Sequence, residues 1–487
     1  MYLCALYVLK SVLFLRWNSV KGVNTFCCGM KSKLVIIILL LLMAMPSAVT
    51  AQFKNKEWVG RNAFSDYDRK HKERIPPQYL IKANFISGYI LPMTTNLKNI
   101  AHPPVLGGEI CLEFPSWGIY PWQQYLGGPT VGVAVSALDL GNRDILGQMI
   151  ATYPYVLINC AKGKYVQFQY KIGVGLAFMT RTWNDCDTLH GMDVPEANSA
   201  IGSILNAYIT TGFSLSFILP SDVRLHLDAG FLHASNGTVL QPNGGLNMLY
   251  GSVGASYTIS PRQMQRPPQR RIPDFPYEWV LNITASAGSR ELYYRDNRSF
   301  LIGSLHLGAL YSACNWYGVG LGVDAFYDGV FTRQGFTNSM SMAEFDEQTK
   351  ITKFNRYLLK EDNIANKFRV GVAINNEFRI GRVALLLDWG VYCYDPIRNA
   401  YSHEHPKYGT HRPMFYTYDI DKEDGWNYFR LGIRARVWDN LYIQAAVKTH
   451  LHKAEMLEFG LGYQIPFARH ADHVINGNMS RYYFVHQ

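Results

Sequence analysis

Apolar and polar residues alternate in segments of roughly ten residues from Tyr79 almost to the end of the chain, each segment bounded by Gly, Pro, Asn or Asp. A period of two places successive side chains on opposite faces, so this pattern predicts strands. In the first half it predicts strands at about 79–90, 107–114, 128–137, 148–160, 164–178, 203–219, 223–235 and 247–259. In the second half it predicts them at about 277–289, 300–312, 315–327, 366–378, 381–393, 426–437, 440–450 and 454–467. These lengths suit tilted strands that cross an outer membrane.

The connections fall into two kinds. Pro220-Ser221-Asp222, Ile380-Gly381 and Trp438-Asp439-Asn440 are tight, whereas 179–202, 328–365 and 394–425 are long and polar. Outer-membrane barrels have short periplasmic turns and longer outer loops. With the turn at 220–222 on the periplasmic side, the loop 236–246 lies outside. Residues 260–276 are rich in Pro and Arg and separate the two runs of strands. The pattern therefore predicts an all-β, transmembrane antiparallel β-barrel with long outer loops. It is either one merged barrel of about 16 strands or two barrels of about 8.

The ends read differently. Lys31 and Lys33 precede an apolar run, Leu34 to Met45, and a small-residue site at Val49-Thr50-Ala51. That order is a secretory signal, with Met30 as its start and 1–51 as a leader. All five charged residues of the leader are basic, so without it the formal net charge falls from +10 to +5. A mildly basic remainder argues against a nucleic-acid role and suits anionic lipid head groups. Residues 52–78 are polar and read as a periplasmic segment. A barrel half at 79–259, a linker at 260–276, a second half at 277–467 and a tail at 468–487 follow.

Composition changes this picture little. Aromatic residues make up 14% of the chain and charged residues 17%, with 32 Tyr and 41 Gly. These values fit a barrel with aromatic girdles, and equally a secreted sandwich. Beyond the leader, Cys111, Cys160, Cys186, Cys314 and Cys393 show no CxxC spacing, so neither a metal site nor a disulfide framework is read from them. No phosphate loop or dinucleotide fingerprint is present.

The chemistry concentrates at one hairpin. In Val223-Arg-Leu-His-Leu-Asp-Ala-Gly-Phe-Leu-His233-Ala-Ser235, the apolar Val223, Leu225, Leu227, Ala229 and Phe231 share one face. Arg224, His226 and Asp228 share the other, which faces the interior. His233 and Ser235 carry the apolar parity, so they are expected on the lipid-facing side near the outer rim. Asn247, on the next strand, shares parity with Leu249 and Val253. Polar groups on a lipid face are costly and call for a function. Ser235 suits a nucleophile, His233 its base and Asn247 the group that holds the imidazole. The Asn243 side chain and the backbone N–H groups around Asn236 and Gly237 suit an oxyanion hole. Gly237, Gly244 and Gly245 let the loop turn tightly. The bland alternative is a rim histidine beside ordinary Asn-Gly turn chemistry, because His-x-Ser alone is a weak signal.

His-Ala-Ser-Asn-Gly followed by Pro-Asn-Gly-Gly-Leu-Asn resembles the active-site segment of the outer-membrane lipid A 3-O-deacylase (PagL-like) and acyloxyacyl hydrolase family. The resemblance is clearest over 223–259 and fainter over about 160–260, including Ala200-Ile201-Gly202-Ser203. It implies a carboxylic ester hydrolase in the outer membrane of a Gram-negative bacterium, acting on lipid A of lipopolysaccharide without a cofactor. It also implies His233 as base, Ser235 as nucleophile and Asn243 as oxyanion donor. Two departures stand out. The family's acidic triad member is a Glu where this chain has Asn247, which makes an inactive homologue an alternative. The chain is also a longer, two-part variant. The family's further hairpin would fall at about 277–312, beyond the linker, which favours the merged barrel. The competing class is a non-catalytic barrel, a channel or structural protein.

Asp222 to His233 also resembles Asp439 to His450, as a duplication or by chance. The second copy has His452 where Ser235 would stand and Glu455 where Asn247 would, and His450 shares a face with Gln444 and Lys448, opposite Leu441, Ile443 and Val447. It reads as structural, with metal binding by His450, His452 and Glu455 the lesser alternative. Trp183, Asp185 and Asp187 read as a solvated outer loop, and His403 and His405 as chemically idle.

Overall fold

The computed structural model describes residues 78–470 except 94, 103, 117–120, 186–197, 221, 260–276, 292–298, 313–315, 332–363, 396–426, 439 and 451–453. The leader, His403, His405, His452, Asp187 and the linker lie outside the described residues. No helix among the described residues is long and apolar enough to cross a membrane.

Sixteen strands form among the described residues, each end within three residues of its expected place. The first eight are β1 (Leu80–Ile90), β2 (Val105–Pro115), β3 (Thr130–Asp139), β4 (Gln148–Lys162), β5 (Val166–Met179), β6 (Leu205–Ile218), β7 (Val223–Ser235) and β8 (Leu246–Thr258). The others are β9 (Tyr277–Glu291), β10 (Ser299–Ser312), β11 (Tyr317–Asp328), β12 (Phe368–Ile380), β13 (Val383–Tyr394), β14 (Asn427–Arg436), β15 (Leu441–Thr449) and β16 (Ala454–His470). Two short helices, α1 (Thr95–Ile100) and α2 (Pro121–Tyr125), lie in connections of the first half.

The strands close into two antiparallel barrels of eight, not one merged barrel. β8 returns to β1, with Ala83 opposite Ala255, and β16 returns to β9, with Leu461 opposite Ala285. The hairpin at 277–312 therefore belongs to the second barrel, and the expectation of a merger is overturned. Closing at eight strands satisfies every edge at the smallest circumference that side chains can fill.

Alternation sorts each strand as expected. In β7, Leu225 and Leu227 point outward and are half exposed, whereas His226 and Asp228 are buried inside. Tyr165, Tyr257, Trp279 and Trp438 lie outward at the short-turn end, an aromatic rim of the kind outer-membrane barrels present at the membrane boundary. The first lumen is closed at the loop end by Leu97 and Ile100 of α1, packed with Leu138, Met149, Leu232 and Met248. Below them lies a charged network. Lys82 donates to Asp228 at 2.8 Å, and Lys171 pairs with Glu109 at 3.3 Å. His226 bridges Ser216 at 2.9 Å and Ser256 at 2.8 Å, so His226 and Asp228 are lumen residues.

The second lumen is more highly charged. Arg430 lies 2.7 Å from Asp324 and 2.8 Å from Glu458, and Arg434 lies 2.6 Å from Glu377. At its loop end, buried Glu455 meets Arg369, Lys448 at 2.6 Å and His450 at 2.8 Å. Glu455 and His450 thus act within a structural ion network, and no metal-binding cluster is present among the described residues.

Candidate active site

β7, β8 and the turn between them carry the candidate residues, and β6 flanks β7. His233 stands directly across from Asn247 on β8 and from Ile209 on β6. Ser235 is the last residue of β7 and is 8% exposed. The turn between β7 and β8 supplies everything else.

His233 donates from Nδ1 to Asn247 Oδ1 at 2.7 Å. An amide oxygen only accepts, so this bond places the proton on Nδ1 and leaves Nε2 as the acceptor. Ser235 Oγ accepts from Gly237 N at 3.1 Å and from Asn243 Nδ2 at 3.3 Å. Two N–H donors of different origin therefore converge on one hydroxyl. His233 and Ser235 are not hydrogen-bonded to each other. Both flank Gly245: a β-carbon there would lie 3.0 Å from His233 Cε1 and 3.6 Å from Ser235 Cβ. Any side chain at 245 would fill the gap between them, and the φ of +72° at this residue favours glycine as well.

Asn236 does more positioning than its sequence context suggests. Its backbone N–H donates to Asn243 Oδ1 at 3.2 Å, which turns the Asn243 amide nitrogen toward Ser235. The donors to Ser235 Oγ are thus Gly237 N–H and Asn243 Nδ2, while the Asn236 N–H orients the second of them. The Asn236 side chain is buried. It donates to Ser203 Oγ at 2.9 Å and to Leu240 O at 3.0 Å, and accepts from Thr238 N at 3.0 Å. The segment 199–202 supports the same turn. Gly244 N donates to Ser199 O and Gly245 N to Ala200 O, at 3.0 and 2.9 Å. A β-carbon on Gly202 would sit 2.6 Å from Pro242 O, so only glycine admits this close approach.

Three contributions were not legible in the sequence. Ser203 lies in a segment the resemblance marks, but its bond to Asn236 is made only across the fold. Thr238 adopts a φ of +78°, the one non-glycine with positive φ among the described residues. Leu457 of the second barrel backs onto Gly237, whose β-carbon would meet Leu457 Cβ at 2.9 Å. Trp183, expected in solvent, is buried at 9% exposure with its N–H bonded to Ile201 O at 2.9 Å. Asp185 caps the same turn by accepting from Thr182 N at 2.7 Å.

Fold and site together define an outer-membrane-type protein of two β-barrels, with a cluster of polar side chains at the rim of the first. Residues 109–256 match the family described as lipid A 3-O-deacylase (PagL), and residues 279–468 match the acyloxyacyl hydrolase C-terminal domain. The chain belongs to this hydrolase family, in a two-part form. No curated protein matches it. Among solved structures, Neisserial surface protein A is 11% identical and covers 37% of this chain and 96% of its own, with a TM-score of 0.25. The attachment invasion locus protein Ail of Yersinia pestis is 10% identical and covers 38% and 99%, with a TM-score of 0.22. A porin mutant of Rh. blastica is 8% identical and covers 80% and 100%, with a TM-score of 0.15.

Proposed function

We propose that this protein is a lipid A deacylase of the Gram-negative outer membrane, an esterase that uses Ser235 and His233. The observation that carries the reading is the convergence of Gly237 N–H and Asn243 Nδ2 on Ser235 Oγ, beside a histidine whose tautomer is set by Asn247.

Ser235 rotates about its Cα–Cβ bond, and its Oγ attacks the carbonyl carbon of an ester-linked acyl chain. His233 Nε2 takes the hydroxyl proton. The carbonyl oxygen becomes an oxyanion and accepts from Gly237 N–H and Asn243 Nδ2. Collapse breaks the bond to the sugar oxygen, which leaves with the proton from His233. Water, deprotonated by His233, then releases the fatty acid and restores Ser235. The site shares the parity of the outward Leu225 and Leu227, which supports approach of an acyl chain from the bilayer to the shallowly buried Ser235. No cofactor enters this scheme.

Asn247 favours a second reading, a slow or inactive homologue. An amide orients the imidazole but gives the imidazolium no charge, and the corresponding change in a serine protease costs about 10⁴ in rate. A channel is disfavoured by the side chains that fill both lumens.

Mass spectrometry of lipid A from cells expressing wild type or Ser235→Ala tests the reading. Loss of one acyl chain with wild type alone supports it. Unchanged lipid A in both, with the protein folded in the outer membrane, favours the inactive homologue.

A further inference from the structure

The turn that supplies the oxyanion donors is held from outside its own barrel. Gly237 and Thr238 both take left-handed backbone conformations, with φ of +63° and +78°. For glycine this is free of strain; for β-branched threonine it is unfavourable and persists only where its surroundings impose it. Those surroundings are the second barrel. Thr238 Oγ1 donates to Glu455 O at 2.7 Å, and Thr238 O accepts from Glu291 N at 2.9 Å. The other side of the turn is tied as well. Gln241 N donates to Glu291 Oε2 at 3.0 Å, and Gln241 Oε1 accepts from Asn243 N at 3.2 Å. Leu457 closes the contact against Gly237.

These ties lie one residue from the Gly237 donor and two from Asn243. The elements that make them are firm. β9 and β16 are neighbours in the closed second barrel, and the Glu455 side chain is locked among Arg369, Lys448 and His450. Glu455 O also accepts from Arg290 Nη1 at 3.2 Å. The barrels touch at their short-turn ends too, where Tyr125 OH lies 3.4 Å from Arg379 O.

We propose that the second barrel is a positioning partner of the oxyanion turn, with Glu291 and the Glu455 carbonyl holding Thr238 and Gln241 so that Gly237 N–H and Asn243 face Ser235. This rests on the esterase reading above. Thr238 and Glu291 are positioning residues and touch no reacting atom. The second barrel, which has no Ser-His pair at the matching hairpin, thereby contributes to the reaction.

The test uses the full chain folded in detergent micelles, with fatty-acid release from lipid A in mixed micelles as the rate. Amide exchange of residues 236–241, read by mass spectrometry, is the second readout. Thr238→Val and Glu291→Ala each remove a tie, while Thr238→Ser and Glu291→Gln keep the hydrogen-bonding atom. The first pair should lower kcat on the order of tenfold, the equivalent of one hydrogen bond to the turn, with KM changed less than about twofold. Exchange in 236–241 should quicken in the same two variants, with the melting temperature of the barrels unchanged and the conservative pair close to wild type. Unchanged exchange in Thr238→Val and Glu291→Ala overturns the proposal whether or not the enzyme is active. So does faster exchange with kcat unchanged, or a loss of rate that only follows loss of folded protein. A wild type that releases no fatty acid defeats the esterase reading itself, while the exchange arm still decides whether the second barrel holds the turn.

Discussion

At the scale of single residues the site is a problem of hydrogen-bond accounting. His233 has two ring nitrogens, and the 2.7 Å bond to Asn247 assigns one of them. What Asn247 lacks is charge. A carboxylate in its place would hold the same tautomer and, in the proposed mechanism, also stabilise the imidazolium formed as Ser235 loses its proton. Asn247→Glu is therefore expected to raise the rate of acyl release by about tenfold or more, measured on lipid A in micelles. An unchanged or lower rate would mean that the longer side chain misplaces the ring. Asn243 shows how a single backbone bond orients an amide. Its oxygen is occupied by the Asn236 N–H, so its nitrogen is the atom that reaches Ser235.

At the scale of elements, β7 carries the proposed catalytic pair on one face and lumen residues on the other. Its outward face runs from Leu225 through Leu227 to His233 and Ser235. Its inward face holds His226 and Asp228 in the lumen network. Asp228 is paired with Lys82 and also lies 3.4 Å from Asn84 and 3.3 Å from Ser252. Removing one partner of a buried pair leaves the other charge uncompensated. Asp228→Ala should destabilise the barrel by roughly 3–5 kcal/mol, read from denaturant unfolding in micelles. The rate per folded molecule should stay near wild type, because the site lies on the opposite face. The resemblance between 222–233 and 439–450 also gains meaning at this scale, since each segment forms the turn and seventh strand of its own barrel.

At the scale of the whole molecule, buried side chains line the inside of both barrels. Eight strands enclose a space that side chains fill, and here the fillers are ion pairs and hydrogen-bonded polar groups with an apolar plug at the mouth of the first. The protein reconstituted in planar bilayers is expected to give no stepwise conductance. Regular single-channel steps would revive the channel reading.

Strand order, strand ends and the facing of each side chain were legible in the sequence because they are local. A period of two in hydrophobicity is imposed residue by residue, and His233, Ser235 and Asn247 could be placed on one face by counting from Leu225 and Val253. The composition of the 236–247 turn was legible for the same reason, its glycines and asparagines marking tight backbone. Closure was not. Whether β8 pairs with β1 or with β9 depends on contacts between residues more than 150 positions apart, to which hydrophobic period is blind. The supports of the turn are equally non-local. Ser203 comes from the preceding loop, and Glu291, Glu455 and Leu457 come from the other barrel. Nothing in the string around Thr238 foretells its left-handed backbone, because that conformation is imposed by partners 53 and 217 residues away. The sequence by itself determined the strands and which residues of each strand share a face, including the shared face of the proposed site residues. The tertiary structure alone decided how many barrels form and what holds the turn in place, since closure and docking are settled by pairings between distant segments.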